Sequence, residues 1–173
     1  MKIYITGSVA SGKSTLARRI AAQTGIPCLH LDEAVYVVDP AEAWGNHKRP
    51  EEERDAIFCE MLARGAWVME DAGRACFAKA MTHADIVVLL EIPLAVRKRR
   101  ILTRWLRQNL GIEWCIYRPS LRMLANMFRW ANNYDTGADG TKSRVAPYRE
   151  KTVVLHDNRE IDAFVRTLTN AGK

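Results

Sequence analysis

The feature that most constrains this chain lies at residues 7–14, which read Gly7-x-x-x-x-Gly12-Lys13-Ser14. Ahead of it, Ile3, Tyr4 and Ile5 form a short apolar, β-prone run that predicts a buried strand. Behind it, Leu16 and Ile20, with alanines beside them, carry helical spacing as far as Ala22. A strand that turns into a helix through such a segment fits the P-loop pattern. Glycines let the backbone curl until successive N–H groups point inward, and the positive end of the following helix adds to their pull on phosphate oxygens. Gly7, Ser8, Ala10, Ser11, Gly12, Lys13, Ser14 and Thr15 are therefore the expected nucleotide cradle. Lys13 is expected at the β and γ phosphates and the Ser14 hydroxyl at Mg²⁺, making ATP and Mg²⁺ the expected cofactors. No G-x-G-x-x-G is present, which argues against a Rossmann dinucleotide site.

The rest of the chain alternates strand and helix signals. Strands are predicted at 27–31, 66–71, 84–92 and 152–156, and helices at 50–65, 74–82, 93–109, 112–133 and 158–170. Residues 33–50 read as irregular, with Pro40, Gly45 and Pro50, and the polar stretch 134–150 reads as mobile. Alternation of this kind predicts an α/β fold of three layers around a mostly parallel five-stranded sheet, with ligands beyond the carboxyl ends of the strands. The 173 residues suggest one domain, with an acceptor-binding insertion at 33–64 and a helical lid region at 112–150.

Composition narrows the environment. A chain that is 48% hydrophobic can build a sizeable core, yet no apolar run reaches the roughly 18 residues of a membrane span. Lys2 followed directly by a strand is not a signal peptide, and Cys28, Cys59, Cys76 and Cys115 form no C-x-x-C pair. A cytoplasmic protein with reduced thiols and no membrane partner is expected. The net charge of +6 implies an anionic partner, which phosphorylated substrates and nucleic acids both satisfy.

Carboxylates fall at strand ends on the edge of the sheet that carries the P-loop. Asp32 follows the second strand and is either a turn-capping residue or a group that orients or deprotonates an acceptor hydroxyl. Glu70 and Asp71 follow "WVM"; strand alternation lets one of them face the nucleotide, where a carboxylate holds Mg²⁺ through water. Arg97, Arg100, Arg104 and Arg107 share a helix face, where their mutual repulsion would be relieved by an anion, and Leu94, Ile101, Leu102, Trp105 and Leu106 are expected to pack inward. Tyr36 and Trp44 could stack on an acceptor or form the small core of the insertion.

Taken together, the P-loop, "HLDE", "WVMEDAGR", "RKRRILTRWLRQ", "LRMLANMFRWANNY" and "VVLHDNREIDAF" resemble the adenylate kinase-like branch of small P-loop kinases. More closely, they resemble the small proteins labelled DNA topology modulation proteins. The resemblance implies transfer of the γ-phosphoryl of Mg-ATP to a nucleotide or other small acceptor. It also implies that Glu70 is the metal-side carboxylate and that Arg74, four residues on, grips the acceptor. Arg100 and Arg104, seven and eleven residues after Pro93, match the arginines that stabilise the transferred phosphoryl group. Lys13, Asp32, Arg100 and Arg104 are thus the expected catalytic set, and Asp32, Tyr36, Trp44 and Arg74 the expected acceptor contacts. The chain departs from that pattern in its glutamate at position 70 and in a longer lid with Arg118, Arg122 and Arg129, whose lone Cys115 excludes a zinc-bound form. The competing readings are an ATP-dependent regulator that binds DNA through the arginines, and a nucleotide switch without catalysis. No helix-turn-helix, zinc finger or other reading module is visible, so sequence-specific DNA recognition is not expected.

Overall fold

In the computed structural model, which describes residues 1–171, the expected parallel sheet is the frame of the molecule. Its strands are β1 (Lys2–Gly7), β2 (Cys28–His30), β5 (Trp67–Glu70), β6 (Ile86–Leu90) and β7 (Thr152–Leu155), in the order β2-β5-β1-β6-β7. All four pairings are parallel, with Ile5 beside Glu70 on one flank and beside Val88 on the other. β1 is the middle strand, and every residue from Ile3 to Gly7 is buried.

The two-residue period of the strands divides the core. Ile3, Ile5, Val68, Val88 and Leu90 face one side and meet Leu16, Ala17 and Ile20 of α1 (Lys13–Thr24) and Phe164, Val165 and Leu168 of α8 (Asn158–Ala171). Tyr4, Trp67, Met69, Val87 and Leu89 face the other. There they meet α2 (Leu31–Val35), α3 (Glu51–Ala63) and α4 (Ala78–His83), together with Tyr134 and Val145. The result is the three-layer α/β architecture. α3 starts after Pro50 with Glu51, Glu52 and Glu53 in its first turn, where the helix dipole favours acids. α1 ends on Gly25 in the left-handed conformation.

A third, smaller core joins the long helices to the P-loop. α5 (Leu94–Asn109) and α6 (Leu121–Thr136) pack Ile101 against Met123, Met127 and Ala131, with Val9 and Ala10 of the P-loop laid over them.

Four expectations are corrected. The segment 33–50 is ordered: α2 is followed by an antiparallel hairpin of β3 (Tyr36–Val38) and β4 (Asn46–Lys48). The helix expected at 112–133 begins only at Leu121, because Gly111 and Pro119 break the earlier stretch and the Ser120 hydroxyl caps Met123 N–H at 3.2 Å. The polar stretch 134–150 holds the end of α6, then α7 (Thr141–Val145) and a 3₁₀ segment, with Thr141 and Val145 buried. On α5, Leu102 and Leu106 face solvent, while Arg97 points inward at 1% exposure. No described helix is long and apolar enough to cross a membrane.

Candidate functional site

The P-loop sits where β1 ends and α1 begins, and its backbone takes conformations that side chains oppose. Gly7 has φ 146°, and a Cβ there would lie 2.7 Å from the Leu90 carbonyl oxygen. Gly12 has φ 102°, and Ala10 adopts φ 58° in the same curl. Lys13 Nζ donates to the Ser8 carbonyl at 2.8 Å, holding the loop around the space it encloses. Burial lowers the Lys13 pKa, against the pull of Glu70, Asp32 and Asp71, while Arg74 adds to the lowering. The buried hydroxyl oxygens of Ser11 and Thr6 have no protein partner, so this corner retains polar capacity that the fold does not use.

β5 settles which acid faces the loop. Glu70 Oε1 accepts from Ser14 Oγ at 2.9 Å and pairs with His30 Nδ1 at 2.8 Å. Desolvation would raise the Glu70 pKa, but the His30 hydrogen bond and Lys13 hold it below its ordinary value. His30, hydrogen-bonded to Cys28 Sγ and Glu70, is raised to about 10 and stays protonated. Ser14 and Glu70 together present the hard oxygen donors that suit Mg²⁺.

Asp71, 1% exposed, turns the other way. It accepts from Gly73 N–H at 2.6 Å, Arg74 N–H at 2.5 Å and Tyr4 Oη at 3.3 Å, and it pairs with the Arg74 side chain. It builds the turn that presents Arg74. Arg74 also pairs with Asp32, whose side chain remains 53% exposed, and lies 5.8 Å from the Tyr36 ring. Asp32, Tyr36 and Arg74 therefore converge. Trp44 does not join them: it packs in the α5–α6 core under the Arg122 guanidinium at 4.8 Å, which corrects its expected place at the acceptor.

Beside the P-loop opens a cleft of about 480 Å³, lined by Ser11 to Thr15 and by Arg100, Arg104 and Arg107. Arg100 Nη1 donates to the Ser11 carbonyl at 3.0 Å. Arg104 Nε meets Glu113 at 3.0 Å, and Arg107 reaches the same carboxylate at 3.8 Å. The fourth member of the expected arginine stripe is absent from this cleft. Arg97 is buried, donating to Ile92 O at 2.7 Å, Ser8 Oγ at 2.6 Å and Ala131 O at 3.1 Å while pairing with Asp135. It ties the P-loop to α6 and is removed from the anion-binding set. The sequence reading missed it as a buckle, and it missed His30 and Glu113. The signal for Arg97 was available, since Asp135 is the only acid between residues 114 and 138.

The chain matches no family model. A 96-residue segment, 56% of the chain, is 31% identical to a cytidylate kinase from Methylocella silvestris and spans 44% of that protein's length. Two shikimate kinases have similar structures. One, from Acinetobacter baumannii in complex with shikimate, has TM-score 0.58 and 20% identity over 98% of this chain and 92% of the other. The other, from Bacteroides thetaiotaomicron, has TM-score 0.53 and 18% identity over 99% and 97%. A gluconokinase from Sinorhizobium meliloti 1021 aligns at TM-score 0.52 and 17% identity over 99% and 90%. The fold is that of the small P-loop kinases.

Proposed function

We propose that this protein is a phosphotransferase that moves the γ-phosphoryl group of Mg-ATP to a small acceptor. The observation that carries the reading is the convergence of a P-loop, the Ser14–Glu70 pair and Arg100, with the Asp32–Arg74 pair close enough to act on the Lys13 charge. The likeness to a cytidylate kinase in sequence and to shikimate kinases and a gluconokinase in fold supports it.

Phosphoryl transfer asks mainly for positioning and for charge stabilisation. The N–H groups of the P-loop hold the phosphates, and Lys13, Arg100 and Arg104 supply positive charge where negative charge develops. Mg²⁺, when bound, neutralises phosphate charge; Ser14 would hold it directly and Glu70 through water. Asp32, half-exposed and paired with Arg74, accepts a hydrogen bond from the acceptor hydroxyl and orients it. The segment 33–64 serves as the acceptor-binding region, and 112–150 as the lid that excludes water. Arg104 meets Glu113 through Nε, which leaves its Nη donors for a phosphate while the carboxylate offsets part of its charge.

The test is ADP formation with Mg-ATP across nucleoside monophosphates, nucleosides and hydroxylated metabolites, with a no-acceptor control. Acceptor-dependent ADP supports the reading. ADP release that no acceptor stimulates, from protein shown to bind ATP, overturns it in favour of a nucleotide switch. The stripe invoked for DNA binding is weakened by the burial of Arg97 and by the Glu113 pairs, and no observation here favours that reading.

A further inference from the structure

We propose that the outer face of α5 and the loop that follows it rest on a membrane surface carrying anionic headgroups. Such docking holds whether or not the chain transfers phosphoryl groups.

Leu102, Leu106 and Leu110 recur every fourth residue along α5 and its C-terminal end, a row about 12 Å long on one face. Beyond it, Ile112 and Trp114 continue the apolar series. Trp105 Nε1 donates to Ser120 O at 3.2 Å, which brings Leu121 back against the same helix. Leu110, Ile112, Trp114 and Leu121 are 64–77% exposed, and Leu102 and Leu106 nearly half so. Side chains that exposed stand out from the surface rather than line a groove, and a contiguous apolar patch in such a place marks an interaction site. The face is separate from the nucleotide cleft. Leu102 and Leu106 each follow a cleft arginine, Arg100 and Arg104, by two residues, which turn a helix by about 200°. Glu113 meets Arg104 and Arg107, and its neighbours Ile112 and Trp114 are left to solvent.

Charge selects the occupant. Residues 92–134 hold nine cations and one acid, Glu113. Among the described residues, Lys98 and Arg99 on α5, and Arg118, Arg122 and Arg129 beyond it, meet no carboxylate. Arg99 precedes Leu102 by three residues and Leu106 by seven, so it shares their face. Apolar prongs among cations match a lipid interface. The prongs enter the boundary between headgroups and acyl chains, the arginines meet headgroup phosphates, and a tryptophan settles at that depth. A nucleic acid would satisfy the arginines and leave the leucines and Ile112 in water. A second copy, docked by two-fold symmetry, would set the same cations against one another. No described helix is long and apolar enough to cross a membrane, and a face that lies on one needs no such helix.

Vesicle sedimentation and tryptophan emission, both on the full-length protein, supply the test. Vesicles of phosphatidylcholine and phosphatidylglycerol in equal parts are compared with phosphatidylcholine alone, at low and at high salt. Co-sedimentation with the anionic vesicles, a blue shift of the emission and weaker binding at high salt are expected. Trp114→Phe keeps an apolar prong and should keep binding while losing most of the blue shift. Trp114→Ser should weaken binding about tenfold and Arg99→Gln about fivefold. Both side chains are exposed, so all three variants should melt with the parent. Equal binding to phosphatidylcholine alone, no binding to either vesicle, or binding that Trp114→Ser leaves unchanged overturns the inference. So does a complex with duplex DNA, or a dimer, that Trp114→Ser abolishes while the vesicles stay bare, since the face then belongs to that partner. ATP binding, measured on the same sample by calorimetry, reports on the P-loop separately, so the membrane face and the phosphotransferase reading can each fail alone.

Discussion

Replacing Arg97 by methionine tests how the long helices are fixed to the P-loop. Methionine keeps much of the length and none of the charge. The guanidinium is 1% exposed and makes four polar contacts: Ile92 O, Ser8 Oγ, Ala131 O and the Asp135 carboxylate. Removing one partner of a buried ion pair costs about 3–5 kcal/mol. Asp135 is 36% exposed and recovers water, which discounts its share. The three neutral oxygens do not recover it, and each buried acceptor left bare costs about 1–3 kcal/mol, with strong overlap among them. A total of about 3–5 kcal/mol results, against the roughly 5–15 kcal/mol that holds a typical domain together. For a chain of this size it lowers Tm by about 6–20 °C. Asp135→Asn keeps an oxygen acceptor and loses only a screened charge, so it should cost about 1 kcal/mol or less. Thermal unfolding followed by far-ultraviolet circular dichroism reads both. A methionine variant that melts within about 3 °C of the parent, or an asparagine variant that matches it, refutes the buckle.

Other variants probe the site. Lys13→Ala should abolish turnover, and Arg104→Ala should lower kcat more than nucleotide affinity, as single-turnover and binding measurements will show. Glu113→Gln frees Arg104 from its 3.0 Å pair, so the KM for ATP should fall or remain constant, whereas a pair that serves only to hold the lid would give a rise. Gly73→Ala forces a side chain at φ 87° with its Cβ 2.6 Å from Thr141 Cγ2, and should cost about 2 kcal/mol or more in denaturant unfolding. Burial raises the Cys76 pKa above its ordinary value even though Arg54 opposes the shift. Its alkylation rate should therefore keep rising with pH beyond the range of a free cysteine in a pH series.

The parts of the fold legible in the sequence were those with a long period or a dense motif. β1 and β6 carried apolar runs, the P-loop its glycine spacing with Lys13 and Ser14, and α3 announced itself with Pro50 and three acids. The β3–β4 hairpin was invisible because its strands are three residues long and Asn46-His47-Lys48 has no apolar alternation. It is held from outside, by Asn46 Nδ2 on Ile116 O and Arg118 N–H on Trp44 O, both at 2.7 Å. The helical spacing of the α5 arginines placed Arg97 among exposed residues, whereas in the structure Arg97 meets Asp135 and Arg104 and Arg107 meet Glu113. Burial reversed that assignment, because a buried arginine must have an acid, and Asp135 lies 38 residues away. Strand alternation alone did not separate Glu70 from Asp71, although the spacing to Arg74 favoured Glu70; the neighbours of each strand face separate them, Ser14 and His30 for one, Tyr4 and the Arg74 turn for the other.

What the loop at residues 7–14 grips decides the function of the molecule. Titration calorimetry of the folded protein with Mg-ATP measures this directly. Binding at a single site per chain, lost in Lys13→Ala and weakened in Glu70→Gln when Mg²⁺ is present, is the predicted result. Folded protein that gives no heat, or that binds ATP equally well without Lys13, would contradict it.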